Sequence, residues 1–397
     1  MKKRHSIVIT LTLMLLTSAL TYLIMMLSYS IKYSAPNKKN YESGQVLAAL
    51  LEKIEDMYIG EYDVDEISAA AMRAAVDALD DRWSYYLTPE EYADFLNSIN
   101  NQFAGIGVVV VIDEESGGMA VLYTYRGSPA EEAGILSGDV VIGIDGDNIT
   151  GLDLDQMRAL LSRPFGETAQ LSVLRADGTV ETVSVVYDLF FTDPISFEML
   201  EGDIGYISIA NFEGGAADGF ISAVEQMLEQ GALALIFDVR GNGGGMVYEM
   251  TRMLDFLLPE GEIFVSVDRN GNEEIIWSDS EMVDIPAVVI VDKYSYSAAE
   301  YFAATLKEYG YADIVGEQTT GKSRSQRTEA LPGGGALHIS TSQYLTKNRV
   351  ALFDVGGLVP DYPLVLSDDE FVMFISGNLE KENDPQLELA IEIAARS

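Results

Sequence analysis

Residues 288–326 read VVIVDKYSYSAAEYFAATLKEYGYADIVGEQTTGKSRSQ, and this stretch decides the fold. Val288 to Val291 is a short apolar run of the kind that forms a buried strand. Asp292 to Tyr296 makes a turn. Ser297 then opens a helix over 298–309, with apolar positions at Tyr301, Phe302, Leu306 and Tyr309. A serine on a strand-to-helix turn stands where a nucleophile is exposed and where the first helical N–H groups can receive an oxyanion. A second strand, 312–315, leads into Gly316 to Ser323, and Gln326 follows. The serine needs a base. His5 lies in the N-terminal flank, so only His338 could serve a histidine-based triad. Lys322 is the better candidate, because a lysine shielded from water loses its proton near neutral pH and can activate a hydroxyl.

Upstream, strands and helices alternate: a strand over 204–209, a helix over 216–230, a strand over 232–237 and a helix over 246–258. This alternation predicts an α/β core. Between the last two lies Asp238-Val-Arg-Gly-Asn-Gly-Gly-Gly245, a run that can hold a backbone N–H where no side chain obstructs it, as an oxyanion donor. Gly244, partnered by the N–H of Ala298, is the expected donor pair. After the central stretch come a glycine turn over 332–335, a strand over 336–342 and a closing helix over 385–395.

From Phe103 the texture is one of short strands and glycine turns. Gly105-Ile106-Gly107-Val108 precedes a valine-rich strand to Ile112, and Ser128-Pro129-Ala130-Glu131 caps a short helix ended by Gly134. Two strands, 168–175 and 180–187, form a hairpin through Asp177-Gly178. This segment resembles a PDZ domain, most closely in the Gly-Ser-Pro-Ala run from Gly127 and in the glycine loop. The resemblance implies that the N–H groups of Gly105, Ile106, Gly107 and Val108 hold a peptide's terminal carboxylate while the peptide adds a strand to the sheet edge.

The central stretch is similar to the catalytic region of the carboxyl-terminal processing, or tail-specific, proteases. That family carries a Ser-x-Ser-x-x-Glu run, here Ser295 to Glu300, then a Gly-Lys pair, here Gly321-Lys322, with a glutamine four residues on, here Gln326. Tyr296 and Ala299 stand where small residues and a third serine are usual. Asp238 to Gly245 matches a further family run, as do Gly356 to Asp361 and Asp81-Arg-Trp-Ser-Tyr-Tyr-Leu87, in which Trp83 replaces a tyrosine. The resemblance implies a crotonase-like, ClpP-related serine protease core, with Ser297 as nucleophile, Lys322 as base and Gln326 orienting the lysine amine. It implies no cofactor and no metal, peptide substrates with apolar C-termini, and leaves a homo-oligomer open.

Before the PDZ-like segment, helical spacing over 42–58 and 65–79, and a Thr88-Pro89-Glu91 capping box, predict a helical region. The expected organisation is therefore a multidomain α/β chain: flank, anchor and tether over 1–40, a helical region over 41–102, PDZ over 103–188 and protease core over 189–397. Ser6 to Ile31 is a 26-residue run without a charge behind Lys2-Lys3-Arg4. As a helix it spans about 39 Å against a bilayer core of about 30 Å, which predicts a retained signal anchor in the cell membrane, single-pass, with the body outside. Residues 1–40 hold six Lys/Arg and no acid, so the remainder carries −44 against a net charge of −38 for the whole chain. Such a body is a poor partner for nucleic acid. The absence of cysteine excludes a disulfide framework.

Two alternatives compete. Gly316 to Ser323 fits the P-loop pattern, but Arg324 to Glu329 offers no apolar face for the helix a P-loop needs. An inactive protease-like core presenting its PDZ domain as a binding module is the other, against which stands the intact Ser297, Lys322 and Gln326 set.

Overall fold

The computed structural model describes Thr21 and residues 38–396. The apolar run 6–31, and with it the signal-anchor expectation, lies outside these residues apart from Thr21. None of the described helices is long and apolar enough to cross a membrane. The chain divides into a unit up to Met72 and a unit from Arg73 onward. The first holds α1 (Lys38–Met57) and most of α2 (Val64–Asp77).

The second unit opens with strand β1 (Tyr85–Leu87), helix α3 (Pro89–Ser98) and strand β2 (Gln102–Gly105). Thr88 caps α3 through the Glu91 N–H, and the Glu91 carboxylate accepts the Thr88 N–H at 2.8 Å, the reciprocal box its sequence predicts. Next comes an antiparallel sheet of β3 (Val108–Ile112), β4 (Met119–Thr124), β5 (Val140–Ile144), β6 (Asp147–Asn148), β7 (Thr168–Leu174) and β8 (Val180–Val186). With it fold the short helix α4 (Pro129–Glu132) and helix α5 (Leu154–Leu161). It has its own core around Met119, Ile149, Met157, Leu171 and Val185. Strand β9 (Asp188–Phe191) pairs with β2, so the chain enters and leaves this small domain through one two-stranded stem.

Beyond the stem, β10 (Ile195–Leu200), β11 (Ile204–Ile209), β12 (Ala234–Asp238), β15 (Ala287–Val291), β16 (Ala312–Gly316) and β19 (Tyr362–Pro363) form one sheet, parallel except for the β10–β11 pair. All five residues of β12 and of β15 are buried, as strands covered on both faces require. Helices α6 (Ala216–Glu229), α7 (Val247–Leu257) and α8 (Ala298–Tyr309) share one core with the sheet, centred on Phe212, Phe220, Phe237 and Phe302. The C-terminal α10 (Pro385–Ala394), which follows α9 (Asp368–Ile375), packs Leu387, Ala390 and Ile393 against a separate set that includes Ile236, Val288 and Ile290.

A second, antiparallel sheet joins β13 (Gly261–Asp268), β14 (Glu273–Ser278), β17 (Arg324–Ala330) and β18 (Ala336–Leu345). It also takes in β1, with Tyr85 opposite His338 and Leu87 opposite Ala336. The region expected to be helical, 41–102, thus also contributes a strand to the sheet beside the central stretch. The P-loop alternative ends here. Lys322 is followed by strand β17, not by a helix whose N-terminus could face a phosphate.

Candidate active site

The local sequence around Ser297 is braced before the serine arrives. Ser295 is fully buried. It donates from Oγ to the Val239 carbonyl at 2.7 Å and accepts the Asp292 N–H at 3.0 Å. Asp292 Oδ1 accepts the Gly241 N–H at 3.0 Å, and the Tyr296 N–H donates to the Asn242 carbonyl at 3.1 Å. The turn after β15 is therefore tied to the glycine loop after β12 on both sides. These ties hold Ser297 at φ 59° and ψ −122°, a backbone that a side-chain-bearing residue adopts only under constraint, typically at about 1–3 kcal/mol. Strain of this kind belongs to residues aimed at a site.

Lys322 lines the same cavity of about 840 Å³ as Ser297. Its Nζ stands 4.4 Å from the ring centre of Trp83 and 6.0 Å from that of Tyr296. Among the described residues no carboxylate ion-pairs with it. Burial pulls its pKa down to about 8, against the opposing pull of the Asp81 and Glu300 carboxylates. No hydrogen bond joins Ser297 Oγ to Lys322 Nζ; such bonds commonly tighten only around bound substrate. Tyr344 donates from its hydroxyl to the Lys322 carbonyl, and its oxygen faces the Ser297 side chain.

Residues 203–364, which carry the glycine loop, Ser297 and Lys322, match the model of peptidase family S41, and residues 121–175 match a PDZ domain. Residues 203–364 form a peptidase family S41 domain. The chain's relatives include the carboxy-terminal processing protease CtpA of Bacillus subtilis, 30% identical over 74% of this chain and 63% of that protein. The carboxyl-terminal-processing protease of Synechocystis is 28% identical over 75% and 70%. The chain thus spans less than two thirds of the Bacillus relative's length. In fold it resembles an S41 protease from Bacteroides fragilis (TM-score 0.61, 18% identity, 85% and 92% covered). It also resembles a photosystem II D1 C-terminal processing protease (TM-score 0.51, 24% identity, 84% and 91% covered).

Two sequence expectations need correction in this S41 site. Gly244 does abut Ser297, since a Cβ there would lie 2.7 Å from Ser297 Cβ and 2.9 Å from the Ala298 nitrogen. Its N–H, however, already donates to Asn242 Oδ1 at 2.7 Å. Gly245 is the better-placed donor. The bridge to Phe212 uses the Gly244 carbonyl and the Met246 N–H, which leaves the Gly245 N–H on the opposite side. Gly245 and Ala298 both line the cavity, and no hydrogen bond occupies either N–H. Gln326 also lines the cavity, but its amide donates to Ser340 Oγ at 3.0 Å and to the Arg324 carbonyl at 2.9 Å, with no bond to Lys322.

The residue that does join Ser297 and Lys322 is Glu300, the last residue of the Ser295–Glu300 run. Its buried carboxylate accepts the N–H groups of Ser297 at 3.2 Å, Gly321 at 2.9 Å and Lys322 at 2.7 Å, and the Thr319 hydroxyl at 2.6 Å. Burial raises its pKa, and these four bonds oppose the rise. Its capping-box spacing from Ser297 was the available signal. Trp83 was quoted as a family variant, and only the fold brings it over Lys322.

His338 lies in the cavity as well, as a weakened base. Its Nδ1 bonds Thr328 Oγ1 at 2.8 Å, and its ring stacks on Tyr85 at 4.6 Å. Burial, aided by the charge of Lys322, lowers its pKa to about 4, so it stays neutral at pH 7.

In the PDZ domain the loop and α5 flank a groove of about 400 Å³, lined by Gly105, Ile106, Gly107, Val108, Val110 and Leu161 among others. Gly107 has φ 75°, and a Cβ there would meet Ser128 Cβ at 2.3 Å. No hydrogen bond occupies the N–H of Ile106 or Gly107, whereas the Ile106 carbonyl is taken by Ala130.

Proposed function

We propose that the chain is a serine endopeptidase acting near the C-termini of exported proteins through a Ser297–Lys322 dyad. The reading is carried by one observation: a buried lysine without a carboxylate partner, its pKa near 8, in the cavity that the strained Ser297 lines. Neutral Lys322 takes the proton of Ser297 Oγ as the oxygen attacks the scissile carbonyl. The N–H groups of Ala298 and Gly245 receive the oxyanion, where fixed donors stabilise developing charge. Lys322 then returns its proton to the leaving amine, and hydrolysis of the acyl-enzyme uses the lysine in the same way. The PDZ groove admits substrates by their terminal carboxylate and apolar last residue. The run 6–31 anchors the protein in the membrane with the body outside.

The test is peptide cleavage by purified, folded variants. Ser297→Ala and Lys322→Ala should abolish cleavage. Lys322→Arg should do so as fully, because a guanidinium does not give up its proton. His338→Asn should retain activity. Substantial cleavage by the arginine variant, or its loss on replacing His338 alone, sinks the dyad. Wild-type protein that binds peptides and cleaves none would mark a binding module.

A further inference from the structure

The cavity holding Ser297 and Lys322 is also walled by Leu96 of α3 and Ile99 just after it, and by Met246 and Met250 at the start of α7. Among these apolar side chains stands a single acid, Glu213. Its Oε2 is buried and has no hydrogen-bond partner. Among the described residues no lysine, arginine or histidine forms an ion pair with it. Two groups face it from neighbouring elements: the Glu249 carboxylate of α7, which accepts the Ala217 N–H at 2.8 Å, and the Tyr85 phenol of β1. Burial, then the like charge of Glu249, push Glu213 up to about 7.

Its backbone is fixed. Phe212, one residue earlier, forms the bridge to Gly245, and the Glu213 N–H donates to Asn211 Oδ1 at 2.9 Å. The carboxyl group is thus anchored one residue from the loop that presents the oxyanion donor. A buried carboxyl without a partner is costly, and such groups are normally bonded. The chain's own cations in the cavity, Arg82 and Lys322, both stand over the Trp83 ring, at 4.5 Å and 4.4 Å, and neither forms an ion pair with Glu213. The partner must come from whatever fills the cavity. Apolar walls suit the methylenes of a long side chain, and a carboxylate suits its cationic head. An apolar side chain would fill the walls and leave Glu213 unpaired.

We infer that Glu213 forms the polar end of a subsite that takes a lysine or arginine side chain of the substrate near the scissile bond. The inference rests on the peptidase reading above and concerns a different part of the substrate from the C-terminal residue that enters the PDZ groove.

The experiment uses peptides with one apolar C-terminus in which lysine, norleucine or glutamine is placed in turn at each position flanking the cleaved bond. At one position lysine should exceed norleucine in kcat/KM by roughly tenfold or more, the scale of a hydrogen bond to a charged group. In Glu213→Gln that ratio should fall to near one, and in Glu213→Leu it should invert. The Ser297→Ala protein, titrated with the same peptides carrying a fluorophore, should rank them in the same order by Kd. No position with a lysine preference in cleavage or binding, or a preference that survives in Glu213→Gln, overturns the subsite. Failure of the wild-type chain to cleave any peptide would count against the peptidase reading alone, since the binding titration still reads the subsite.

Discussion

Lys322 carries a stability penalty that the proposed dyad requires. Burial holds its pKa near 8 against 10.5 for a solvated lysine, so the folded state resists a proton that the unfolded chain accepts. Below pH 8 the amine is charged in both states and the penalty is fully present, on the order of 3 kcal/mol at 1.36 kcal/mol per unit. It fades as pH rises from 8 to 10.5. Lys322→Met should therefore raise the thermal midpoint at pH 7 by a few degrees while abolishing cleavage, which calorimetry and a peptide assay check together. The same pKa sets the rate profile. A base acts when deprotonated, so kcat/KM should climb with pH through about 8. Trp83 is the test of cause. Its ring attracts the ammonium and also excludes water, and the lowered pKa says that dehydration wins. Trp83→Ala should shift the profile toward higher pH; an unmoved or lowered midpoint would assign the shift elsewhere. Glu300→Ala leaves four donors without their acceptor, each costing about 1–3 kcal/mol when buried, and should unfold or inactivate the core, with Glu300→Gln less severe.

The elements differ in how plainly they could be read ahead of the structure. The helix expected over 298–309 and the strands expected over 288–291 and 312–315 follow from their apolar positions, and the observed limits agree to within one residue. Strand β17 has polar or charged residues at six of its seven positions, and no alternation marks it. It exists because β18 pairs along its length, which is a tertiary fact. Strand β1 is three residues long and meets a partner about 250 residues away, beyond any local signal. That Ser297 and Lys322 would meet in one cavity was legible from their residue types and from the family motifs that carry them. The donor glycine was not, because Gly243, Gly244 and Gly245 are alike in sequence and differ only in which N–H the Asn242 side chain occupies. The PDZ loop makes a prediction at this scale. Gly107→Ala forces a Cβ onto Ser128 at a left-handed φ, so it should collapse the carboxylate groove. Isothermal titration with a peptide bearing a free C-terminus should show binding lost, while single-substitution change in the protease core's thermal transition stays small.

At the scale of the whole molecule, the PDZ domain hangs on the β2–β9 stem between β1 and the protease sheet. If it gates entry, amidating a substrate's C-terminus should slow cleavage by the intact chain and make no difference after deletion of residues 103–187. Equal rates for both peptides with both proteins would dismiss the gate. The position of that stem has a further consequence. Trp83 and β1 are made before the PDZ domain, and β18, which receives them, is among the last strands to leave the ribosome. A nascent chain can already contain Ser297 and Lys322 while the strand that carries the lysine's hydrophobic cover has no sheet to join. Its amine is then bathed in water, protonated and inert. On the proposed dyad, chemical competence would then come only with the completed sheet. Chains ending near residue 335 should be proteolytically silent, and a full-length chain deprived of residues 81–87 should show a lysine titrating near its ordinary 10.5.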